Sequence, residues 1–188
     1  MGYKFVGFGQ AFTDEKLEEL KGIIKDKNPD EINNIVELGT QNGFASILLA
    51  DLSKDLKSLD YNVWYGHDAR EQLNANNLDN VMLYVADDLL DEFKKSITSN
   101  PEVVYIDLLK ARERTIGEKV PENVDPFITE LKKYQQKTSD YKKVTVIQKV
   151  DDEFVVEVIQ ENKRSSKKKV AEKSTVEDKT PAKVEVSA

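Results

Sequence analysis

Short apolar stretches alternate with helix-like patterns along most of the chain. Thr13 is a typical N-cap residue, and the leucines and isoleucines that follow it lie at helical spacing as far as Asn28-Pro29. After this first helix, five stretches have the length and composition of strands: 34–38, 61–65, 81–85, 103–106 and 143–150. Helical patterns lie between them at 44–56, 69–78, 89–97 and 127–134. This alternation predicts βαβ units, and therefore an α/β fold with a parallel sheet flanked by helices.

The last predicted strand is closely followed by another one. Only Asp151, Asp152 and Glu153 separate the fifth strand from a strand-like stretch at 154–160. A parallel crossover needs a dozen or more residues, so these two strands must form an antiparallel hairpin. The sheet is therefore predicted to be mostly parallel, with one truncated antiparallel C-terminal strand beside the fifth strand.

Composition divides the chain into three parts. Residues 1–29 are predicted to form an N-terminal arm and helix, residues 30–161 the α/β domain, and residues 162–188 a charged tail. The tail has no aromatic residue and no periodicity, so it cannot bury enough apolar surface to stay folded, and we expect disorder there. The arm contains several aromatic residues, which either pack on the domain or form a flap over a ligand cleft: Tyr3, Phe5, Phe8 and Phe12.

Charge and composition exclude several classes of protein. The chain has a net charge of −7, and the tail from residue 161 contributes +3, which leaves −10 on residues 1–160. Such an acidic body repels phosphate backbones, so nucleic-acid binding is not expected. The absence of cysteine excludes disulfides and Cys-ligated zinc. No apolar stretch approaches the roughly 20 residues of a membrane span, and no signal-peptide core is present, so we expect a cytoplasmic protein.

Distinctive residues follow each of the first four predicted strands. Gly39 and Gly43 bracket the turn after the first strand, where glycines allow close approach to a ligand. Asp68, Asp87 and Asp107 follow the next three strands. Ligands bind beyond the carboxyl ends of parallel strands, and an acid after the second strand commonly accepts hydrogen bonds from ribose hydroxyls. Short acids also favour strand ends for structural reasons alone, but the whole series favours a ligand site.

The second predicted strand contains the only tryptophan of the chain. Trp64 alternates with Val63 and Tyr65, which predicts a core position for it. His67, beside Asp68, is expected to flank this strand without a catalytic role.

Residues 34–107 resemble the class I S-adenosylmethionine (SAM)-dependent methyltransferases, and in particular the O-methyltransferases of the caffeoyl-CoA and catechol type. The first loop of that family reads approximately E-I-G-x-x-x-G-Y-S. The corresponding segment here is Glu37-Leu38-Gly39-Thr40-Gln41-Asn42-Gly43-Phe44-Ala45-Ser46, with one extra residue before the serine. The resemblance extends over about residues 30–150 and implies a Rossmann-like fold with SAM as the cofactor.

The resemblance also implies roles for individual residues. Glu37, Gly39 and Gly43 would shape the methionine side of the SAM pocket. Asp68 would hold the ribose hydroxyls and Asp87 the adenine amine. A further residue, Asp107, would face the reactive end of the cofactor.

The sequence departs from the family after the fourth and fifth strands. Metal-dependent members have a second aspartate after the strand-four aspartate and end the fifth strand in Asp-Asn. Here Leu108-Leu109-Lys110 follows Asp107, and the fifth strand ends in Gln148-Lys149, so no metal site of that design is predicted. The helix and long hairpin that usually follow the fifth strand are also missing. Asp107 and Lys149 remain the candidate catalytic groups, and Glu157 could join them in an imitation of the 2′-O-ribose methyltransferase tetrad.

Three functions remain open. The protein could bind SAM and transfer its methyl group to a small or tethered acceptor. It could instead be a non-catalytic protein of the same fold that serves as an interaction or structural component of a larger assembly. In that case a protein partner would bind the tail or the basic loop 110–119, which contains Lys110, Arg112, Arg114 and Lys119. A nicotinamide-dinucleotide protein is the third, but the turn lacks the middle glycine that lets a pyrophosphate approach.

Overall fold

The fold is described by a computed structural model, which covers residues 2–6, 13–61, 63–108, 124–138 and 143–160. Helices and strands alternate along the described residues. The helices are α1 (Asp14–Lys27), α2 (Phe44–Leu52), α3 (Val63–Ala75), α4 (Leu89–Ser96), which continues into a 3-10 turn (Ile97–Ser99), and α5 (Asp125–Lys137). The strands are β1 (Ile32–Leu38), β2 (Ser53–Asp60), β3 (Val81–Val85), β4 (Val103–Ile106), β5 (Lys143–Val150) and β6 (Glu153–Gln160).

The six described strands form one sheet in the order β3-β2-β1-β4-β5-β6. Strands β1 to β5 are parallel to their neighbours, and β6 pairs antiparallel with β5. The predicted mostly parallel sheet with an antiparallel C-terminal strand is therefore confirmed. The strand order reverses between β1 and β4, which is where open α/β sheets form their ligand crevice.

Two apolar cores cover the two faces of the sheet. Helices α1, α2 and α3 contribute residues such as Leu20 and Leu48 to the first core. Helices α4 and α5 contribute to the second, where the rings of Phe93 and Phe127 meet edge to face at 5.3 Å. Strand β1 is buried on both faces, as a central parallel strand requires.

The first helix begins and ends where the sequence predicts. The Thr13 hydroxyl accepts a hydrogen bond from the backbone N–H of Lys16 at 3.2 Å and so caps the first turn. At the other end the backbone N–H of Asn28 donates to the carbonyl of Ile24 at 2.9 Å.

The second strand was predicted in the wrong place. Helix α2 ends at Leu52, β2 follows at once, and residues 63–65 begin α3 instead of forming a strand. Trp64 is consequently 74% exposed in the first turn of α3, whereas the alternation had predicted a core position. Strand β2 has a polar, exposed amino-terminal half and is buried at Leu56 and 58–60 only, so it lacks the apolar run by which a parallel strand is recognised.

Some predictions fall outside the described residues. Phe8 and Phe12 of the arm lie there, as do the basic residues Lys110, Arg112, Arg114 and Lys119 and the whole tail 162–188. Among the described helices, none is long and apolar enough to cross a membrane.

Candidate functional site

The turn after β1 lies directly against the end of β4. Gly39 has φ +87°, and a Cβ atom at this position would lie 2.0 Å from the carbonyl oxygen of Asp107. The backbone N–H of Gly39 donates to Leu59 on β2, and that of Asp107 donates to Leu38 on β1, both at 2.8 Å. Only glycine fits at position 39, because the turn is fixed between two neighbouring strands.

Gly43 is required for a similar reason. It has φ +79°, and a Cβ atom there would lie 2.7 Å from Cα of Ala69 on α3. Gly43 is also the N-cap of α2, and no side chain caps this helix. The first N–H groups of α2 are therefore left for a ligand or solvent.

The acid at the carboxyl end of β2 is Asp60. Its Oδ2 accepts a hydrogen bond from the backbone N–H of Gln41 at 2.9 Å, and its Oδ1 accepts one from Tyr61 at 2.7 Å. The residue is only 1% exposed. Asp60 thus links the end of β2 to the turn after β1.

Asp68 does not occupy the position predicted for it. It lies within α3, exposed to solvent, with Oδ1 3.8 Å from Nδ1 of His67. The prediction placed it after a strand at 61–65 that does not exist. Ending α2 after Leu52 would have identified Asp60 from the sequence, since Leu59 and Asp60 then close a short strand.

Asp87 lies after β3, as predicted. Its side chain is exposed and has no hydrogen bond or ion pair with the described residues. The next residue, Asp88, caps α4 through a hydrogen bond from the backbone N–H of Asp91 at 2.9 Å. The backbone N–H of Ala86 donates to the carbonyl of Asp60 at 2.9 Å, so the ends of β2 and β3 are held side by side.

The two candidate catalytic groups meet at the ends of β4 and β5. Nζ of Lys149 lies 3.7 Å from Oδ2 of Asp107, and the Tyr105 hydroxyl lies 3.5 Å from the same oxygen. Burial raises the pKa of Asp107, and the charge of Lys149 opposes this rise. Glu157 does not join them, because it forms an ion pair with Lys132 on α5 at 2.8 Å, and the imitation of a tetrad is therefore not formed.

Glu37 stands at the centre of a buried group of hydroxyls. Its Oε2 accepts hydrogen bonds from Ser46 at 2.6 Å and Ser58 at 2.5 Å, and the hydroxyls of Ser58 and Thr40 are 2.6 Å apart. Oε1 is buried without a hydrogen-bond partner. Burial raises the pKa of Glu37 to about 8 against the two serine hydrogen bonds, with a smaller contribution from Asp107. This shift favours the protonated form of Glu37 near neutral pH.

The hydroxyls around Glu37 were not predicted from the sequence. Ser46 is part of the motif but was noted only as a letter of it, and Ser58 belongs to the strand that was misplaced. The position of Ser46 is a usable signal, since it lies in the first turn of the helix that follows the glycine motif.

A pocket of about 200 Å³, open to solvent, lies at the junction of β1 and β4. It is lined by Gly39, Thr40, Gln41, Asn42, Phe44, Ala45 and Asp107. Most of this volume is open to solvent, and the enclosed part measures only about 10 Å³, which is room for about one water molecule, so a larger ligand would have to open the pocket. No three His, Asp or Glu side chains in the described part of the chain converge in a way that could hold a metal ion.

Several solved structures that are similar to this chain are methyltransferases. The O-methyltransferase from Bacillus cereus, in complex with S-adenosylhomocysteine (SAH), has a TM-score of 0.54 and 20% identity; the match covers 73% of this chain and 56% of that one. The O-methyltransferase TomG from Streptomyces achromogenes, in complex with SAM, has a TM-score of 0.54 and 19% identity, with the same coverage. The described part of this chain has the fold of SAM-dependent O-methyltransferases. The predicted Rossmann-like fold is thus confirmed.

These likenesses concern the fold, because the identities are low. SMU.1697c from Streptococcus mutans, solved in complex with SAH, has a TM-score of 0.51 and 13% identity, and is covered over 96% of its length. The chain spans little more than half the length of the two O-methyltransferases. No family model matches the sequence, and no curated protein matches it.

Proposed function

We propose that this protein binds SAM and acts as a methyltransferase-like protein on a small or tethered acceptor. The observation that carries the proposal is the pocket at the reversal point of the sheet. There a glycine turn, the uncapped start of α2 and the ends of β2 and β4 meet. The solved structures of this fold that contain SAM or SAH support the same ligand.

The described residues offer partners for each part of SAM. The first N–H groups of α2 can hold the methionine carboxylate, because they have no side-chain cap and lie at the positive end of the helix. Gly39 and Gly43 let the turn lie close to the end of β4 and to α3. Glu37 accepts hydrogen bonds from Ser46 on α2 and from Ser58 on β2, the elements on either side of this turn. Asp60 replaces Asp68 as the acid for the ribose diol, and Asp87 stays assigned to the adenine amine.

Asp60 can accept the ribose only after a local rearrangement. Its two oxygens already accept backbone hydrogen bonds from Gln41 and from Tyr61. Since the residue is 1% exposed, the diol reaches it when the chain around it opens. Binding is therefore expected to involve a change of conformation next to Gln41.

Asp107 and Lys149 are the groups assigned to the reaction. SAM supplies an activated methyl group with a good leaving group, so the protein needs mainly to align the acceptor and exclude water from it. The Asp107 carboxylate can take the proton of an acceptor hydroxyl, and the nearby ammonium of Lys149 stabilises its anionic form. The acidic charge makes binding to a nucleic-acid backbone unfavourable, so a small or tethered acceptor is preferred over a nucleic acid.

Calorimetric titration of SAM into two variants tests the proposal. Asp60→Asn should raise Kd by about 10- to 100-fold, because a charge-assisted hydrogen bond contributes about 1.5–3 kcal/mol. Asp68→Asn is the matched control and should leave Kd within about twofold of wild type, since its carboxylate lies on α3 and is exposed. Thermal unfolding of both variants separates a loss of binding from a loss of folding.

The outcome also decides between the two main hypotheses. If the Asp60→Asn protein folds and binds SAM like wild type, Asp60 is not part of the SAM site. Absence of SAM binding by the wild-type protein would leave the non-catalytic alternative, with a protein partner at the tail or the basic loop 110–119.

A further inference from the structure

The N-terminal arm, defined as residues 2–6, is held through its backbone by two side-chain amides. Asn76 Oδ1 accepts a hydrogen bond from the N–H of Lys4, and its Nδ2 donates to the Lys4 carbonyl, both at 2.8 Å. Gln72 Oε1 accepts from the N–H of Val6 at 2.9 Å, and its Nε2 donates to the Val6 carbonyl. Alternate residues of the arm are thus each bound by one amide.

The residues that alternate with Lys4 and Val6, namely Tyr3 and Phe5, contact α2. The Tyr3 hydroxyl donates to Oδ2 of Asp51, near the end of α2, at 2.9 Å. The ring of Phe5 meets that of Phe44, the first residue of α2, with centroids 5.1 Å apart and a tilt of 53°. The arm therefore contacts α2 on one side and the amides of the α3 region on the other.

Helix α2 begins at the candidate pocket, and α3 packs against the glycine that precedes α2. Phe44 lines the pocket itself. On α3, Ala69 contacts Gly43, and Gln72 follows three residues later on the same side of the helix. Asn76 follows Gln72 at a spacing of four, in the turn directly after α3. The side of α3 that supports the glycine turn is therefore also the side that holds the arm.

We propose that the N-terminal arm is a positioning element of the cofactor pocket. It joins α2 to α3, and Phe5 fixes the ring of Phe44 and with it the start of α2, whose N–H groups face the ligand. The amides bind only backbone groups, so the parts that depend on the identity of the arm's side chains are the Tyr3–Asp51 hydrogen bond and the Phe5–Phe44 contact, and only the second reaches a residue that lines the pocket. The inference rests on the SAM site proposed above, because it assigns the arm to that pocket.

SAM titrations of two arm variants test this role. Phe5→Ala should raise Kd by about three- to tenfold, since an aromatic pair contributes about 0.5–1.5 kcal/mol beyond its buried area. Tyr3→Phe removes the hydrogen bond to Asp51 but leaves Phe5 in place, so its Kd should stay within about twofold. Phe5→Tyr keeps the ring and should bind like wild type. Equal affinities of Phe5→Ala and Tyr3→Phe would overturn the proposal.

Hydrogen exchange without ligand gives a second readout that does not depend on SAM. In Phe5→Ala, amides of α2 and α3 should exchange faster, while those of α4 and α5 on the other face of the sheet should be unchanged. Faster exchange throughout the protein, or no change in α2, would contradict a local positioning role. If wild-type protein does not bind SAM, the proposed function fails, and this exchange pattern still decides whether the arm positions the two helices.

Discussion

Two neighbouring regions of this molecule are rich in polar and aromatic residues, yet they differ in how these residues are used. At the carboxyl ends of β1 and β4, Glu37 and Asp107 are buried and connected to each other through the glycine turn. In the first turns of α3, Trp64, His67 and Asp68 are exposed to solvent. Both regions carry residues capable of chemistry.

The difference lies in what the backbone does around them. Gly39 brings the turn into contact with the residue after β4, and Glu37, two residues before this glycine, is fully buried, which raises its pKa. The first turns of α3 lie outside the sheet and have no such enclosure. Side-chain identity therefore indicates a site only where strand ends and turns bury the group and fix its partners.

The largest expected effect comes from filling the space at the glycine turn. Gly39→Ala should lower the free energy of unfolding by about 3 kcal/mol or more, because strain at positive φ and overpacking each cost about 1–3 kcal/mol. Gly22→Ala is the control: it lies in α1 with nothing within 4 Å of its new Cβ, and should stabilise by about 0.5–1 kcal/mol. Urea denaturation measures both, and a tolerated Gly39→Ala would mean that the turn does not lie against β4.

Glu37→Gln tests the burial of the neutral acid. The folded-state pKa of about 8 lies above the ordinary value of 4.5, so the native state binds more protons between these pH values and wild-type stability falls as pH rises. The slope due to this group is about 1.4 kcal/mol per pH unit and should vanish in Glu37→Gln. From pH 5.5 to 7.5 the variant should gain roughly 2–3 kcal/mol relative to wild type. Parallel stability curves for the two proteins would show that Glu37 is ionised.

A smaller effect is expected from the ion pair at the ends of β4 and β5. Lys149→Met should cost about 2 kcal/mol at pH 8, less than the roughly 3–5 kcal/mol of a fully buried pair, because 18% of the lysine side chain stays exposed. Lys132→Met breaks a shorter but half-exposed pair with Glu157 and should cost at most about 1 kcal/mol. Denaturation at pH 8 compares them. A larger loss of unfolding free energy in Lys132→Met than in Lys149→Met would contradict the expectation that the more buried ion pair contributes more to stability.

The smallest effect concerns the exposed region itself. Trp64→Ala should change the free energy of unfolding by only about 0.5 kcal/mol, since 74% of the residue is exposed. A core tryptophan would instead cost about 3–5 kcal/mol. A loss of that size would indicate that Trp64 is buried, as the strand predicted at 61–65 would require.

The strands that the sequence predicted correctly are short stretches rich in apolar residues, whether central or at the edge of the sheet. Strands β3, β4 and β5 have the predicted bounds, and β6 differs by one residue, because turn residues bracket each apolar stretch. The position of β2 was predicted wrongly because its sequence, SKDLKSLD, is polar where the strand is exposed. The aromatic residues that follow it, which suggested a strand, belong to a helix. Tertiary context decides such cases over local propensity.

The candidate site was predictable in part. The glycine turn and Asp107 could be placed from the motif, since both follow strands whose positions were right. Asp60 and Ser58 were not identified from the sequence, because both lie on β2, whose position was predicted wrongly. The contact between Gly39 and the Asp107 carbonyl joins residues 68 positions apart, and no local pattern contains it.

The most direct test of the central claim is calorimetry of the full-length wild-type protein with SAM, SAH and NAD. The account predicts that SAM and SAH bind with micromolar Kd, about −8 kcal/mol, and that NAD does not bind. Binding of NAD in preference to SAM, or no binding of SAM at millimolar concentration, would contradict it.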